Sequence, residues 1–226
     1  GINAQDFFKK LEEGKVNILQ NDTYYKKNLP SKYVLLSFEI DRFKNTIGLQ
    51  SNLKKRLIKI PNATGSYSRF LLEESSNFET KLAQKFSMIK SYSAQGIDDP
   101  TAVAKISIGL DGFHAIIFSG NEETLYIDPY SKDSKTLMVY KKSDLVKNKD
   151  DFICKVEGLS PKKIGQKNTI QNTNDGKLRT FRLALACTGE YAQFHLAKQN
   201  VSATTTEERK KAAVLSAMNT TITRVN

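Results

Sequence analysis

Residues 102–118 read AVAKISIGLDGFHAIIF, and this stretch decides the fold class. Two apolar runs rich in β-branched residues, Ala102–Ile108 and Phe113–Phe118, lie on either side of the turn signal Asp111-Gly112. Short apolar runs bounded by such turn residues are typical of strands. The stretch therefore predicts two strands joined by a turn.

The same pattern extends in both directions along the chain. In YVLLSFEI, residues 33–40, apolar side chains recur at every second position and predict a strand with one buried face. Further strands are predicted at Leu57–Ile60, Arg69–Leu72, Phe86–Tyr92, Leu125–Ile127 and Leu137–Tyr140. Many short strands separated by turns predict a mostly antiparallel β domain over residues 1–154, either a sandwich or a curved sheet.

Helices are expected in two places within this β region. Residues 4–13, AQDFFKKLEE, predict a short helix that ends at Gly14. Residues 77–85 predict a second short helix. The fold class expected for the whole chain is therefore α+β.

Composition narrows the class of protein without choosing a function. Hydrophobic residues make up 39% and charged residues 26% of the chain, as in folded soluble proteins. The net charge of +11 raises nucleic acid, an anionic surface or an acidic protein as partners. The basic residues are spread along the chain and belong to no nucleic-acid-binding motif, so solvated faces are the preferred interpretation.

Residues 155–177 differ in composition from the rest of the chain. The sequence KVEGLSPKKIGQKNTIQNTNDGK is rich in Lys, Asn, Gln and Gly and poor in large apolar residues. It predicts a linker that a protease reaches easily, with Lys162, Lys163 and Lys177 as candidate cleavage positions.

Residues 178–226 predict one strand followed by one helix. Phe181, Leu183, Leu185 and Cys187 alternate on one strand face. Two overlapping capping-box patterns, Thr204 with Glu207 and Thr205 with Glu208, predict the helix start.

The predicted helix carries an apolar stripe. Its members are Val214, Ala217, Met218, Thr221, Ile222 and Val225. One strand and one helix bury little surface by themselves, so we expect this end of the chain to pack on a partner. That partner is either the β domain or further chain of a larger α/β domain.

Two parts of the chain resemble a known family. LRTFRLALACTGEYAQF and AAVLSAMNTTITRVN, within residues 178–226, resemble the start of the catalytic domain of secreted bacterial reprolysin-like zinc metallopeptidases, a branch of the metzincins. FSMIKSYSAQGIDDPTAVAKISIGLDGFHAIIFSGNEETLYIDPYSKDS and MVYKKSDL, within residues 86–145, resemble the propeptide that precedes that domain. Together these segments cover about half of the chain.

The resemblance implies a latent, secreted zinc metallopeptidase. Residues 1–154 would be its inhibitory and folding-assisting propeptide, and 178–226 the first strand and helix of the metzincin-type α/β catalytic domain. In that family three His hold zinc and a Glu acts as general base on the zinc-bound water. The motif HExxHxxGxxH does not occur in these 226 residues, so this chain has no catalytic residues of its own and we expect it to be inactive alone.

The resemblance also implies cofactors and partners. The complete enzyme would contain zinc, with calcium as a further possibility through Glu190. Its partners would be the remainder of its own catalytic domain and the peptide substrates of the mature enzyme. Nucleic acid is not expected as a partner, because the basic residues form no binding motif. A membrane is not expected either, since the chain has no apolar run long enough to span one.

Cys154 is the candidate metal ligand. It ends the propeptide-like region directly before the linker, where a propeptide thiolate could occupy the zinc position that the attacking water needs. The alternatives are a small buried side chain beside Phe152 and Ile153, or one half of a disulfide.

The other candidate side chains have mainly structural interpretations. Cys187 is expected to be a core thiol or a disulfide partner. His114 and His195 lack further ligands at metal-binding spacing and are expected to be structural, and Glu190 is expected at an exposed turn. The main alternative to a protease precursor is a stand-alone β-rich binding or inhibitor module that acts on a separate protein.

Overall fold

The structure is a computed structural model that describes residues 6–12, 29–49, 55–146, 176 and 182–226. It contains two compact units.

The first unit combines residues 1–146 with residues 189–226, and the second is residues 147–188. In the second unit, the described residues 182–188 contain neither helix nor strand, and their side chains are exposed.

One antiparallel sheet organises the first unit. Among the described residues it contains nine strands, in the spatial order β1-β2-β9-β8-β7-β6-β5-β4-β3. The strands are β1 (Phe8–Lys10), β2 (Val34–Phe38), β3 (Arg56–Pro61), β4 (Tyr67–Glu74), β5 (Lys90–Gly96), β6 (Val103–Gly109), β7 (Gly112–Phe118), β8 (Leu125–Pro129) and β9 (Thr136–Lys141).

The sheet curves until its two ends come close together, which makes it a nearly closed barrel. The gap lies between the two edge strands, β1 and β3. Near it, the Tyr67 hydroxyl donates to the carbonyl of Phe8 at 2.9 Å, and Lys10 Nζ donates to the carbonyl of Thr64 at 3.1 Å. Lys59 Nζ lies 3.7 Å from a carboxylate oxygen of Asp6. Side chains therefore bridge the gap where a strand ladder would otherwise close the barrel.

Alternate residues of the strands fill the barrel with apolar side chains. The first helix, α1 (Ile40–Leu49), adds Phe43 and Ile47 to this core. The Phe43 ring packs edge-on against Phe113 at 5.7 Å between centroids and lies 5.6 Å from Phe38. The aromatic side chains thus supply much of the core volume in a chain without Trp.

The described residues of this unit contain three further helices: α2 (Thr80–Lys85), α3 (Gly189–Lys198) and α4 (Glu207–Val225). The last helix, α4, begins where the Thr206 side chain accepts a hydrogen bond from the backbone N–H of Arg209. It packs on the outer surface of the barrel, mainly on β6 and also on β5 and β7. A short 3-10 turn, Lys142–Asp144, follows β9.

The mostly antiparallel β architecture predicted from the sequence is confirmed at the level of the sheet. The helix predicted over residues 4–13 is wrong where the structure describes that stretch. Phe8–Lys10 form β1, and Phe8 pairs with Phe38 of β2. Sheet pairing at the barrel edge overrides the local helix pattern there.

The strand predicted over Phe86–Tyr92 is shifted, because β5 spans Lys90–Gly96 and Phe86 lies in a separate apolar cluster with Ile89 and Ala212. The helix predicted over residues 77–85 corresponds to α2, which is shorter. Neither α1 nor α3 is predicted by the sequence patterns.

The strand expected between Phe181 and Cys187 is absent from its described residues, 182–187, because no neighbouring segment there pairs with it. The helix expected after it, α4, is present, but its buried face is not the expected apolar stripe. Within that stripe only Ala217 is buried, and Val225 is 80% exposed. The buried residues of α4 are Ala212, Ala213, Ser216, Ala217, Asn219, Thr220 and Thr223.

Candidate functional site

A buried polar cluster lies between the outer surface of the barrel and α4. Ser107 of β6 and His114 of β7 are paired in register, so both side chains point to the same face of the sheet. Asp128 of β8 lies next to His114 on that face, and Asp111 occupies the turn between β6 and β7. The sheet register therefore brings two carboxylates and an imidazole together.

His114 lies between the two carboxylates. Its Nδ1 is 2.6 Å from Asp128 Oδ1, and its Nε2 is 3.3 Å from Asp111 Oδ2 and 3.2 Å from the Asp111 carbonyl. Burial disfavours the charged ring, but the charge and hydrogen bonding of the two Asp outweigh it and raise the pKa of His114 to about 9. His114 is therefore an imidazolium at neutral pH, with both nitrogens engaged.

Asp128 is the second fully buried charge of this cluster. The Tyr140 hydroxyl donates to Asp128 Oδ2 at 2.6 Å, and the Arg224 guanidinium of α4 donates to Asp128 Oδ1. Burial raises the pKa of this carboxyl, but the charges of Arg224 and His114 together with these hydrogen bonds hold it well below its usual range. The Arg224 guanidinium also lies 5.5 Å from the centre of the Tyr126 ring.

Asp111 accepts the hydrogen bonds that the hydroxyl side chains of α4 donate to the cluster. Thr220 Oγ1 lies 2.7 Å from Asp111 Oδ2, and the Ser216 hydroxyl donates to Asp111 Oδ1. Burial raises the pKa of the Asp111 carboxyl, but His114 and the two hydroxyl donors lower it below its ordinary value. Asp111 is therefore a carboxylate whose partners come from both the barrel and α4.

The residues that α4 contributes share one helix face. Ser216, Thr220 and Arg224 are spaced by four residues, which places them one above another. Besides its bond to Asp111, Ser216 Oγ accepts from the backbone N–H of Leu110 at 2.9 Å. Thr220 Oγ1 also lies 2.9 Å from Ser107 Oγ. Every one of these three positions thus meets a polar group of the barrel.

A second set of contacts involves Asn77, in the loop before α2. Its Nδ2 donates to Asn219 Oδ1 at 3.0 Å and to Thr223 Oγ1 at 2.8 Å. Asn226 Nδ2 donates back to Asn77 Oδ1 at 3.3 Å. These bonds attach the C-terminal half of α4 to the loop before α2.

The cluster is chemically suited to holding a helix and not to catalysis. Asp111, His114 and Asp128 are all less than 7% exposed, so no substrate reaches them. His114 offers no free nitrogen lone pair to a metal ion. In the part of the chain that the structure describes, no group of three or more His, Cys, Asp and Glu side chains could hold a metal.

A shallow cleft opens at one end of the barrel, with a volume of about 70 Å³. Arg69, Asp99 and Ser119 are among the residues that line it. Asp99 already accepts from Thr101 Oγ1 at 2.6 Å and from Ser119 Oγ at 2.7 Å. The cleft is therefore small and open, and the Asp99 carboxylate in it is already paired with neighbouring hydroxyls.

The structure leaves the metal ligand and the cleavage positions predicted from the sequence untested. Cys154, Lys162, Lys163 and Lys177 all lie outside the described residues. Cys187 carries a free, exposed thiol, so the prediction that it is a core thiol is wrong.

The two remaining candidates lie on α3. Glu190 is exposed, as expected, but it lies in the first turn of this helix and not in a turn between elements. His195 is partly buried, and burial together with the charge of Lys198 lowers its pKa.

Sequence reasoning missed most of the cluster. It considered His114 only as an isolated side chain, and it did not consider Asp111, Asp128, Ser216 or Arg224 as a group. The available signal was a polar residue at an outward strand position in each of three neighbouring strands, together with the four-residue spacing on α4. Without the strand register, nothing in the sequence connects these positions.

Comparison with known proteins finds no matching family model, no matching curated protein and no matching solved structure. Among the helices of the described regions, none combines the length and apolar content needed to cross a bilayer.

Proposed function

We propose that this chain is the propeptide and the first part of the catalytic domain of a secreted zinc metallopeptidase precursor. The barrel is the propeptide domain, and α3 and α4 begin the catalytic domain. The barrel holds this first part of the catalytic domain and keeps the precursor latent until the connecting segment is cut. Zinc, and calcium where present, belong to the complete enzyme.

One observation supports this proposal beyond the resemblance. The two segments that resemble the family, residues 86–145 and 178–226, supply the two sides of the buried cluster. Asp111 and Asp128 come from the first, and Ser216 and Arg224 from the second. A propeptide that assists folding needs such a specific contact with the chain that it helps to fold.

Latency in this proposal depends on the segment between the two sides. Cys154 would supply the thiolate that occupies the zinc position in the precursor. Cleavage near Lys162, Lys163 or Lys177 would separate Cys154 from the catalytic domain. The peptide substrates of the freed enzyme are the remaining partners.

The test is expression of the complete coding sequence that contains this chain. We expect HExxHxxGxxH downstream of Asn226, one bound zinc per molecule, and casein hydrolysis that rises when residues 155–177 are cut. The 226-residue chain alone should show no chelator-sensitive hydrolysis. A coding sequence without a zinc motif, or a purified precursor that binds no zinc, contradicts the proposal.

A stand-alone binding module is the second candidate, and one surface feature favours it. Leu57, Leu71, Gln95, Val103 and Phe118 are paired across five neighbouring strands in one transverse row on the outer face. Four of the five are apolar and at least partly exposed, with Phe118 at 43%. Such rows occur where a sheet contacts another protein. A coding sequence that stops at Asn226 would favour this candidate.

A further inference from the structure

We infer that the outer face of β5–β8 is a self-sufficient binding site for the helical segment 189–226, which stays bound without a covalent connection to the barrel. After the chain is cut within residues 155–177, the barrel and this segment would remain a tight, non-covalent complex. The inference goes beyond the proposed function because it requires neither zinc nor peptidase activity.

The first argument is the number of charged partners that face α4. Asp111 accepts from Ser216 and Thr220, and Asp128 accepts from Arg224. Hydrogen bonds to ionised groups are about twice as strong as those between neutral groups. Both carboxylates and both hydroxyls are buried, and Arg224 is partly buried, so these bonds hold the helix without help from the connecting segment.

The second argument is the close fit between the helix and the sheet. The side chains of α4 that face β6 are small, among them Ala213, Ser216 and Ala217, and all three are less than 5% exposed. On the barrel side, a Cβ added at Gly109 would overlap Ser216 Oγ. The absence of side chains at this position lets the helix backbone approach the sheet closely.

The third argument is that contacts outside the charged cluster hold both halves of α4. Near its N-terminal half, Ala212 and Leu215 pack against Phe86 and Ile89. Near its C-terminal half, Asn77 binds the polar side chains described above. Segment 189–226 is therefore fixed along nearly the whole length of α4 and cannot pivot about the charged cluster.

The fourth argument concerns selectivity. The polar groups of α4 follow the same order as their acceptors on the sheet. The hydroxyls of Ser216 and Thr220 meet Asp111, and the guanidinium of Arg224 meets Asp128. A helix bound one turn out of register would leave at least one buried carboxylate without a donor, which is costly. The site therefore selects one helix in one register and does not bind amphipathic helices in general.

The experiment uses the full 226-residue chain with a site-specific protease recognition sequence substituted within residues 160–170. After complete cutting, the sample is run by size-exclusion chromatography at neutral pH over a dilution series. We expect both fragments to elute in one peak at the volume of the uncut chain down to micromolar concentration. Separate peaks at micromolar concentration would overturn the inference.

Two variants of neighbouring residues test the cluster itself. Thr220→Ala removes a buried donor to Asp111, whereas Thr221→Ala removes an exposed hydroxyl that bonds only to the helix carbonyl of Ala217. We expect Thr220→Ala to raise the dissociation constant of the cut chain roughly tenfold or more, and Thr221→Ala to leave it nearly unchanged. Equal effects of the two variants would contradict the role of the cluster.

Folding is checked first on each uncut variant by near-UV circular dichroism. If Thr220→Ala fails to fold, Arg224→Gln replaces it, since Arg224 lies at the partly exposed rim of the cluster. Cut Arg224→Gln is expected to dissociate more readily than the cut parent. A dissociation constant equal to that of the parent would overturn the inference.

Discussion

Asp111 has partners on every side, and its charge is the centre of the contact between barrel and helix. Replacing it with Asn keeps its size but leaves His114 beside a neutral amide and offers two hydroxyls a weaker acceptor. Breaking a buried ion pair by changing one partner costs about 3–5 kcal/mol. We expect Asp111→Asn to lower the free energy of unfolding by an amount in this range, measured by urea denaturation.

The matched control is Asp41→Asn, an identical change at an exposed position in the first turn of α1. There the carboxylate interacts mainly with the helix dipole, so the loss should stay below about 1 kcal/mol. Similar losses for the two variants would mean that Asp111 contributes no more than an ordinary surface charge.

Cys154 carries a prediction that the described residues do not test. In the complete precursor, Cys154→Ala should give hydrolysis of a protein substrate before any cleavage, because water could then take the position of the thiolate. Cys187→Ala is the control and should remain latent, since its thiol is not placed in the latency contact. A Cys154→Ala precursor as latent as its parent would assign latency to steric blocking of the cleft.

At the scale of elements, the approach of α4 to β6 depends on Gly109. An Ala at this position would place a methyl group against Ser216, and overpacking of this kind costs roughly 1–3 kcal/mol. We expect Gly109→Ala to destabilise the chain by this amount. The cost should be smaller in a Ser216→Gly background, where the overlapping side chain is absent.

A double-mutant cycle of Gly109→Ala and Ser216→Gly measures this coupling by urea denaturation. Additive effects of the two substitutions would show that the helix and the hairpin do not meet as closely as described. The exposed Gly189, which has no atoms within 4 Å of an added Cβ, supplies the control Gly189→Ala, whose effect should be independent of Ser216.

The elements differ in how far the sequence predicts them. Strands β6 and β7 follow from two short apolar runs on either side of an Asp-Gly turn, a local pattern that is typical of strands. The buried face of α4 does not follow from its apolar stripe. The buried face contacts the charged cluster of the barrel, so Ser216 and Thr220 are buried while Val225 is exposed.

For the whole molecule, the charge state of His114 makes stability depend on pH. The groups that face it from the surrounding elements are Asp111, Asp128, Tyr140, His195, Lys198 and Arg224. Because its pKa rises from 6.5 in the unfolded chain to about 9 on folding, the folded state binds a proton that the unfolded state releases between these values. The stability from His114 is thus complete below pH 6.5 and is lost as the pH rises through about 9.

We expect the free energy of unfolding to fall by up to roughly 3 kcal/mol over this pH interval. His114→Gln should be less stable at pH 6.5 and should lose much less as the pH rises, which isolates the contribution of this ring from those of other titrating groups. Urea denaturation at several pH values gives both curves. Parallel curves for the parent and His114→Gln would show that His114 is not protonated in the folded chain.

The sequence by itself determined that residues 33–140 form a mostly antiparallel β structure and that a helix starts close to Thr205, because these patterns are local; the N-cap itself is Thr206 and not either predicted capping residue. Only the tertiary structure decided that the sheet curves into a nearly closed barrel and that Phe8–Lys10 pair with it. Only the tertiary structure also assembled Asp111, His114, Asp128 and Arg224. These four residues belong to a turn, two strands and a helix that is distant in sequence. Strand register and helix docking bring their charges together, and both depend on long-range packing.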